Sequence, residues 1–546
     1  MSQSKNIIIC SDGTGNMGGK GRGTNVFKLY EAVDLHGHRH GKGGDLPPQI
    51  AFYDDGVGTE ALKPLKLLGG AFGLGLTRNV KELYTQLCRS YRPGDRIYLF
   101  GFSRGAFTVR TLAGLVLTCG IIDVWKIHSG RELDRRVMEA YREYRRRYRQ
   151  FVEPEDMDAV GEPLRMRDDV FDSAWIEFIG VWDTVDALGL PFDHAADVLD
   201  RIRRFRFPDT KLSPRVRKGR HALAIDDERH TFHPVLWEEE GEEESDRILQ
   251  VWFAGVHSNV GGGYPKQGLS LVTLDWMMAE AEAAGLRFLQ SRRDHYHFSQ
   301  NVHDKLYDSR SGPAIYYRYK PRDIGTLCAQ HRVPVRIHAS VFDRITHATQ
   351  GYAPGNLPRT YQAVFTGEEE GEHSDLISTL VGDAMAAIPD DESPSPLARV
   401  SREVALRRVS HYAFLTASVA LFFLMVGLED VRRLDLLGFW NSVSAAGAAP
   451  LATLVAVAPE WLAVLGLAGL VAWIVGWRIE RDMRETFSRI WAGGMGALRE
   501  RRVRVPLRSG RIDERPLEVG GPPAPPPPRV QSPGGPDPRD PGLAAS

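Results

Sequence analysis

The sequence has few cysteines, no excess charge of either sign and no pattern typical of a secretory signal. Its 546 residues contain four cysteines, which are too few for a disulfide scaffold and too far apart for a metal finger or redox pair. A reducing compartment fits this usage best. Lys and Arg number 69 against 70 Asp and Glu, which argues against a nucleic-acid-binding protein. The first residues run straight into the apolar Ile7–Ile9, without the basic region and cleavage site of a signal peptide.

Short apolar runs alternate with amphipathic stretches and Gly-rich turns through residues 1–385. This alternation predicts an α/β domain with a mostly parallel sheet and helices on both faces. Five apolar runs are predicted strands: Asn6–Ser11, Gln49–Tyr53, Arg96–Gly101, Trp175–Val181 and Ile248–Ala254. Open α/β sheets bind ligands beyond the carboxyl ends of their strands. We therefore expect residues 1–385 to form the catalytic domain, with its site at that edge.

Residues 386–490 have a different composition and predict a transmembrane region. Two runs without a charged residue, about 412–428 and 461–477, are each at the short end of a membrane span. Arginines lie outside both runs, and the positive-inside rule places both flanks in the cytoplasm. We expect a two-helix transmembrane hairpin in the inner (cytoplasmic) membrane, with the catalytic domain and the C-terminal tail facing the cytoplasm.

The C-terminal tail, residues 491–546, is basic at first and then rich in Pro and Gly, most strongly over 520–529. Such a composition cannot bury a core, so it predicts a disordered tail.

The segment Arg96–Phe107 carries the strongest chemical signal in the chain. An apolar strand ends in Gly101-x-Ser103-x-Gly105, and a helical pattern follows. This is the context of a nucleophile elbow, in which the serine lies on a tight turn between a strand and a helix. We predict Ser103 as the nucleophile, with the backbone N–H of Arg104 as one donor of an oxyanion hole.

A serine nucleophile needs a histidine base that is oriented by a carboxylate. In α/β-hydrolases these residues follow in the order Ser, acid, His. Asp183 and His257 each follow a predicted strand and meet this order, so they are the favoured acid and base. Four alternatives in the intervening sequence stay open: Asp186, His221, His230 and His233.

A Gly-rich loop follows the first predicted strand. We assign the backbone N–H of Gly13 or Thr14 as the second oxyanion donor, because hydrolases place it after an early strand. The same loop contains Gly13-x-Gly15-x-x-Gly18, which matches a dinucleotide fingerprint, but further glycines leave no helix start where a pyrophosphate needs one. A nucleotide-binding regulator is therefore a secondary hypothesis, beside a catalytically inert scaffold that binds partners through its tail.

Five ordered motifs resemble one known family. They are Asp12-Gly-Thr-Gly, Tyr53-Asp-Asp-Gly-Val-Gly-Thr, Gly101-Phe-Ser-Arg-Gly-Ala, Val181-Trp-Asp-Thr-Val and Gly255-Val-His-Ser-Asn-Val-Gly-Gly-Gly-Tyr. Over roughly residues 5–365 the chain resembles the catalytic domain of type VI secretion phospholipase effectors. The resemblance implies an α/β-hydrolase fold with Ser103 as nucleophile, Asp183 as acid and His257 as base.

Together these features predict a membrane-anchored serine esterase or lipase that cleaves carboxylic esters, with lipid acyl esters as the favoured substrates. Its expected partners are that substrate and the membrane, and the sequence identifies no protein partner. We predict no cofactor and no metal, since a Ser-His-Asp mechanism needs neither.

Overall fold

A computed structural model describes residues 4–13, 23–37, 46–56, 70–152, 167–185, 211–241, 245–358, 360–366, 397, 400–426 and 459–500. The strands are β1 (Asn6–Ser11), β2 (Gln49–Asp54), β3 (Arg96–Phe102), β4 (Ile121–Ile122), β5 (Val170–Phe171), β6 (Ile176–Trp182), β7 (Val216–Ala224), β8 (Ile248–Phe253), β9 (Arg336–His338) and β10 (Gln362–Val364). The helices are α1 (Asn25–Ala32), α2 (Gly70–Ser90), α3 (Arg104–Cys119), α4 (Gly130–Val152), α5 (His257–Gly261), α6 (Gly268–Ala283), α7 (Gln290–Ser299), α8 (Ile324–Gln330), α9 (Ala339–Thr346), α10 (Ser401–Val426) and α11 (Pro459–Glu500).

The described residues form an eight-stranded sheet in the order β2-β1-β3-β6-β7-β8-β9-β10, and every pairing in it is parallel. The chain adds β2 on one side of β1 and β3 on the other, so the direction of winding reverses there. In doubly wound sheets such a reversal opens a crevice at the carboxyl ends of the strands. The predicted mostly parallel α/β sheet is confirmed, and its crevice lies between the loops that follow β1 and β3.

The sheet is buried on both faces. Alternate residues of β1 point in opposite directions: Ile7 and Ile9 join a core with α2, α3 and α4, whereas Ile8 and Cys10 join a core with α1 and α6. All four side chains are fully buried. This explains why the strands are continuous apolar runs, since a parallel sheet covered by helices has no polar face.

All five predicted strands are present, with ends within one residue of the prediction. Three strands of the sheet, β7, β9 and β10, are not among the predicted strands. The strand β7 starts with Val216-Arg-Lys, and these charged residues interrupt the apolar run by which a buried strand is recognised. Its Arg220 is almost fully buried and donates to Glu280 of α6 at 2.6 Å, so the charge is paired inside the protein. A buried ion pair of this kind cannot be recognised from local hydropathy.

The helices α10 and α11 pack against each other in antiparallel directions. Ser410 donates to the carbonyl of Ala472 at 2.6 Å, and further along Arg407 pairs with Glu480 at 3.3 Å. Near its C-terminal end α11 joins the α/β part, where the Trp491 indole donates to the carbonyl of Pro354 at 2.7 Å. The two helices are therefore attached directly to the domain that carries the sheet.

One segment within the described residues is long and apolar enough to cross a membrane, Ala463–Trp491 of α11. Its mean hydropathy is 1.5, and only 6% of its apolar window is buried. A second such segment is not shown, so the transmembrane hairpin stays a prediction; residues 427–458 lie outside the described residues. The helix α11 continues to Glu500, past the predicted start of the tail at residue 491. The division of the chain into domains stays a prediction.

Candidate active site

The turn between β3 and α3 holds Ser103 in the backbone conformation of a nucleophile elbow. Its φ of 58° and ψ of −121° are rare for a residue with a side chain. The neighbouring glycines make this turn possible. A Cβ on Gly101 would lie 2.5 Å from the carbonyl oxygen of Gly105, and a Cβ on Gly105 would lie 2.0 Å from that of Ser11. The spacing of the two glycines is therefore a steric requirement of this turn.

The structure brings Ser103, His257 and Asp183 into one hydrogen-bonded chain. The Nε2 of His257 lies 2.8 Å from the Ser103 Oγ, and its Nδ1 lies 2.6 Å from the Asp183 Oδ2. Ser103 directly follows β3 and Asp183 directly follows β6, whereas His257 comes shortly after the end of β8. All three are buried, with Ser103 7% exposed, His257 4% and Asp183 0%. The arrangement can pass a proton from the hydroxyl to the imidazole.

The position of His257 is fixed from several sides. Its ring lies 4.6 Å from the ring of Phe102 and 5.0 Å from that of Phe232, measured between centroids. Its backbone N–H donates to the buried Asp227 carboxylate at 3.2 Å, and Asp227 is paired with Arg229 at 2.7 Å. These contacts leave the imidazole little freedom to turn away from Ser103.

Burial lowers the pKa of His257 below its ordinary value of 6.5, and the hydrogen bond to Asp183 opposes this effect only in part. The imidazole is therefore neutral at neutral pH. A neutral imidazole whose Nδ1 donates to Asp183 has its Nε2 available as an acceptor for the serine proton.

Asp183 is held by a buried arginine that the sequence analysis did not identify. The Nη1 of Arg322 lies 2.7 Å from the Asp183 Oδ1, and its Nη2 lies 2.8 Å from Oδ2. The backbone N–H of Ala224 also donates to Oδ1, at 3.0 Å. Burial alone would raise the pKa of Asp183, but the charge of Arg322 and the bond from His257 outweigh it and hold this pKa well below its usual range. Asp183 is therefore a carboxylate across the neutral range.

Arg322 is itself anchored to the fold. It is 0% exposed, and its guanidinium also donates to the carbonyls of Ala224 at 2.5 Å and of Phe232. A bidentate Arg–carboxylate pair has a fixed geometry as well as a favourable charge interaction. The pair therefore sets the direction in which Asp183 presents Oδ2 to His257. No motif surrounds Arg322 in the sequence, and only the fold brings it to Asp183.

Two of the predicted oxyanion donors, Arg104 and Gly13, lie in the segments that follow β3 and β1 on either side of the crevice. Arg104 is the first residue of α3 and directly follows Ser103. The backbone N–H groups at the start of a helix have no acceptor within the helix. The N–H of Gly13 donates to the Asp12 carboxylate at 2.6 Å, so a role for Gly13 requires this bond to be exchanged. Asp12 is buried and also accepts from Tyr53 at 2.7 Å. Both donors stay predictions, and Thr14 lies outside the described residues.

The alternative histidines have other partners. His221 lies within β7, and its Nε2 accepts the backbone N–H of Thr184 at 3.1 Å. His233 contacts the carbonyl of Lys320 at 3.0 Å. Burial lowers the pKa of His221 and of His233 to about 3 each. His230 lies on a short 3₁₀ turn beside His233, with 5.5 Å between the rings. Asp186 lies outside the described residues.

Residues 5–280 match the family model of the type VI secretion phospholipase effector Tle1-like catalytic domain. The match spans half of the chain. The chain belongs to this family. Ser103, Asp183 and His257 all lie within the matched region, whereas Arg322 and the helices α10 and α11 lie beyond it. The Tle1-like domain therefore provides the hydrogen-bonded chain, and a later part of this protein supplies the arginine that holds Asp183.

Two other similarities accompany the Tle1-like match. An uncharacterized protein of Saccharomyces cerevisiae is 29% identical over 258 residues, which are 43% of this chain and 33% of the yeast protein. This chain thus spans about a third of the length of that relative. A crystal structure of an uncharacterized protein from Pseudomonas aeruginosa aligns with a TM-score of 0.31 and 19% identity, over 55% of this chain and 49% of the other.

Proposed function

We propose that this protein is a membrane-anchored serine hydrolase that cleaves acyl esters of lipids through an acyl-enzyme. The observation that supports it best is the hydrogen-bonded chain from Ser103 through His257 to Asp183, built on a strained elbow at the switch point of a parallel sheet. The phospholipase effector family supplies the substrate class, a lipid ester. These two facts together support an α/β-hydrolase mechanism.

In the first half-reaction, the Ser103 Oγ attacks the acyl carbonyl while His257 Nε2 takes its proton. The tetrahedral oxyanion forms next to the start of α3, where the Arg104 N–H and the positive end of the helix stabilise it. His257 then returns the proton to the leaving alcohol, and the C–O bond of the ester breaks. The acyl group remains on Ser103.

In the second half-reaction, water gives a proton to His257 and adds to the acyl carbonyl, and the fatty acid leaves as Ser103 regains its proton. Asp183 remains ionised throughout and stabilises the imidazolium that forms twice per cycle. The Arg322 pair keeps Asp183 both charged and correctly directed. The reaction needs no metal or organic cofactor.

The surroundings of His257 suit an acyl chain that arrives from a bilayer. Phe232 lies edge-on to the His257 ring, and Tyr317 packs on Phe232 with 5.4 Å between centroids. The ring of the adjacent Tyr316 packs near that of Phe414 on α10, with 6.0 Å between the ring centroids. One aromatic segment thus links the proposed catalytic base to the proposed membrane helices.

The membrane anchor rests on the apolar surface of α11. Its exposed large side chains are Val464, Leu467, Leu470, Val471, Trp473, Val475 and Trp477. Water disfavours an apolar surface of this extent, whereas a bilayer stabilises it. We infer that α10 and α11 form a transmembrane hairpin in the inner membrane. By the positive-inside rule, the arginines at its two outer ends support a cytoplasmic location for the catalytic domain, residues 1–385, and for the tail.

The test is fatty-acid release from phospholipid mixed micelles by the purified full chain. The Ser103→Ala variant should lose at least about a thousandfold in rate, because it lacks the nucleophile. Ser291→Ala, which changes an exposed serine on α7, is the matched control and should keep full activity. Equal fatty-acid release by wild type and Ser103→Ala would show that Ser103 is not the nucleophile. An inert scaffold would give no release by either.

A further inference from the structure

A cluster of two imidazoles and one carboxylate lies where the loop after α7 meets α9. One ligand atom from each of His303, Asp343 and His347 lies within 4.8 Å of the other two. Asp343 is on α9 and His347 is the residue that caps its C-terminal end. Residues four apart on a helix share a face, so their side chains converge. Ligand atoms that bind one zinc ion at about 2.0–2.2 Å are separated by roughly 3–4 Å, so only a small contraction would be needed.

The second observation is the state of the Asp343 carboxylate. The residue is 6% exposed, and its Oδ1 is buried without a hydrogen bond. The His347 Nδ1 lies 2.8 Å from this oxygen, but the hydrogen bond of that nitrogen goes to the backbone carbonyl of Asp343, at 2.9 Å. The His303 Nε2 lies 4.0 Å from the same oxygen. A buried carboxylate oxygen that receives no hydrogen bond is unfavourable. A cation among these three groups would remove that cost, and His347 Nδ1 would give up its bond to the backbone carbonyl in order to bind it.

The ring of His303 is already oriented for such a cation. Its Nδ1 lies 2.6 Å from the Thr349 hydroxyl, and this bond turns Nε2 towards Asp343. Histidines that bind metals commonly bond their other ring nitrogen to an oxygen, which fixes the tautomer and the direction of the ring. The contact with Thr349 is of this kind.

We propose that His303, Asp343 and His347 bind one divalent transition-metal ion of the zinc class. Two imidazole nitrogens and one carboxylate oxygen suit zinc, whereas calcium and magnesium prefer oxygen ligands alone. The side chains of His303 and His347 are 34% and 36% exposed, so solvent can reach the site and supply a fourth ligand.

The ion would tie the loop that carries His303 to α9. The same loop braces α5, the helix that begins with His257: Asn259 donates to the carbonyl of Lys305 at 3.1 Å and accepts the N–H of Tyr307 at 3.2 Å. The role assigned to the metal is therefore structural. It stabilises the loop that supports the α5 helix and takes no part in the ester chemistry.

The experiment is a zinc titration of the full chain, stripped with a chelator and held in detergent, against a chromophoric competitor. Wild type should bind one zinc equivalent with these ligands, and His303→Gln and His347→Gln should each weaken that binding at least about tenfold. His295→Gln, which changes an exposed histidine on α7, is the matched control and should bind like wild type. Zinc but not calcium should raise the thermal midpoint of wild type.

Folding of the variants is checked in the chelator, where His347→Gln should melt like stripped wild type and gain nothing from zinc. X-ray absorption of the zinc-loaded protein should show nitrogen and oxygen ligands. Sulfur ligation would assign the ion to cysteine instead and overturn the proposal. So would an unchanged stoichiometry and affinity in both histidine variants, or wild type that takes up no zinc at micromolar concentration.

Discussion

Replacing Arg322 by methionine removes the cation that holds both oxygens of Asp183 and leaves a side chain of similar length. The change breaks four hydrogen bonds of a fully buried guanidinium: two to the Asp183 carboxylate and two to backbone carbonyls. Removing one partner of a buried ion pair leaves the other charge unpaired, at a cost of about 3 to 5 kcal/mol. The thermal midpoint should therefore fall clearly.

The pH dependence separates a positioning role from a purely structural one. In the wild type Asp183 has a lowered pKa, so its charge stabilises the fold above the unfolded value of 3.8 and this contribution is lost only in strong acid. Without Arg322, burial raises the pKa of Asp183 and only the bond from His257 opposes it strongly. The acid limb of kcat/KM should therefore move to higher pH. At pH 8 the loss should be about 10- to 100-fold, or about 1.4 to 2.7 kcal/mol.

The assay is hydrolysis of a soluble short-chain ester between pH 5 and 9, with thermal unfolding measured in parallel. Arg322→Lys keeps the charge but not the bidentate fork, so it should restore the position of the acid limb and only part of the rate. A methionine variant with the wild-type pH profile and rate would refute the proposed role of Arg322. Lower stability with an unchanged pH profile would reduce that role to packing.

Three further outcomes follow from the geometry. Gly105→Ala should destabilise the fold by about 1 to 3 kcal/mol in urea unfolding, because its Cβ would lie 2.0 Å from the Ser11 carbonyl oxygen, whereas Gly130→Ala, with nothing within 4 Å, should not. A base that must be neutral, with a pKa lowered by burial, should give a kcat/KM that rises with pH and is half-maximal below pH 6.5; a midpoint above 7 would contradict the environment described for His257. Leu467→Asp in α11 should weaken flotation with phospholipid vesicles, at about 2.5 to 3.5 kcal/mol for a charge at mid-bilayer, whereas Leu289→Asp, at an exposed leucine of the α/β part, should not. Unchanged flotation of the α11 variant would argue against the anchor.

The sheet and the hydrogen-bonded chain could be predicted because parallel strands that are buried on both faces have continuous apolar sequences. Ser103, Asp183 and His257 follow β3, β6 and β8, and strands that point the same way deliver their ends to one edge. Their positions just after apolar strands then favoured Asp183 and His257 over the other candidates. Local sequence was sufficient here because each feature is complete within about ten residues.

The features that were missed depend on contacts between distant segments. The charged residues of β7 pair with acidic side chains of β6, of α6 and of the segment before β8, so the strand looks polar when its sequence is read in isolation. Arg322 reaches Asp183 across 139 positions of the chain. His303 is likewise far from Asp343 and His347 in the sequence, and only the fold brings its loop next to α9. Each needs the tertiary fold before its partner can be named.

The central claim is that His257 activates the Ser103 hydroxyl for attack on an acyl carbonyl. Fluorophosphonate labelling of the full chain, with the adduct located by mass spectrometry, tests it most directly. We expect one adduct, on Ser103, that forms at least about a hundredfold more slowly in His257→Ala, because the base is gone. An adduct on another serine, or labelling of Ser103 that is as fast without His257 as with it, would contradict the account.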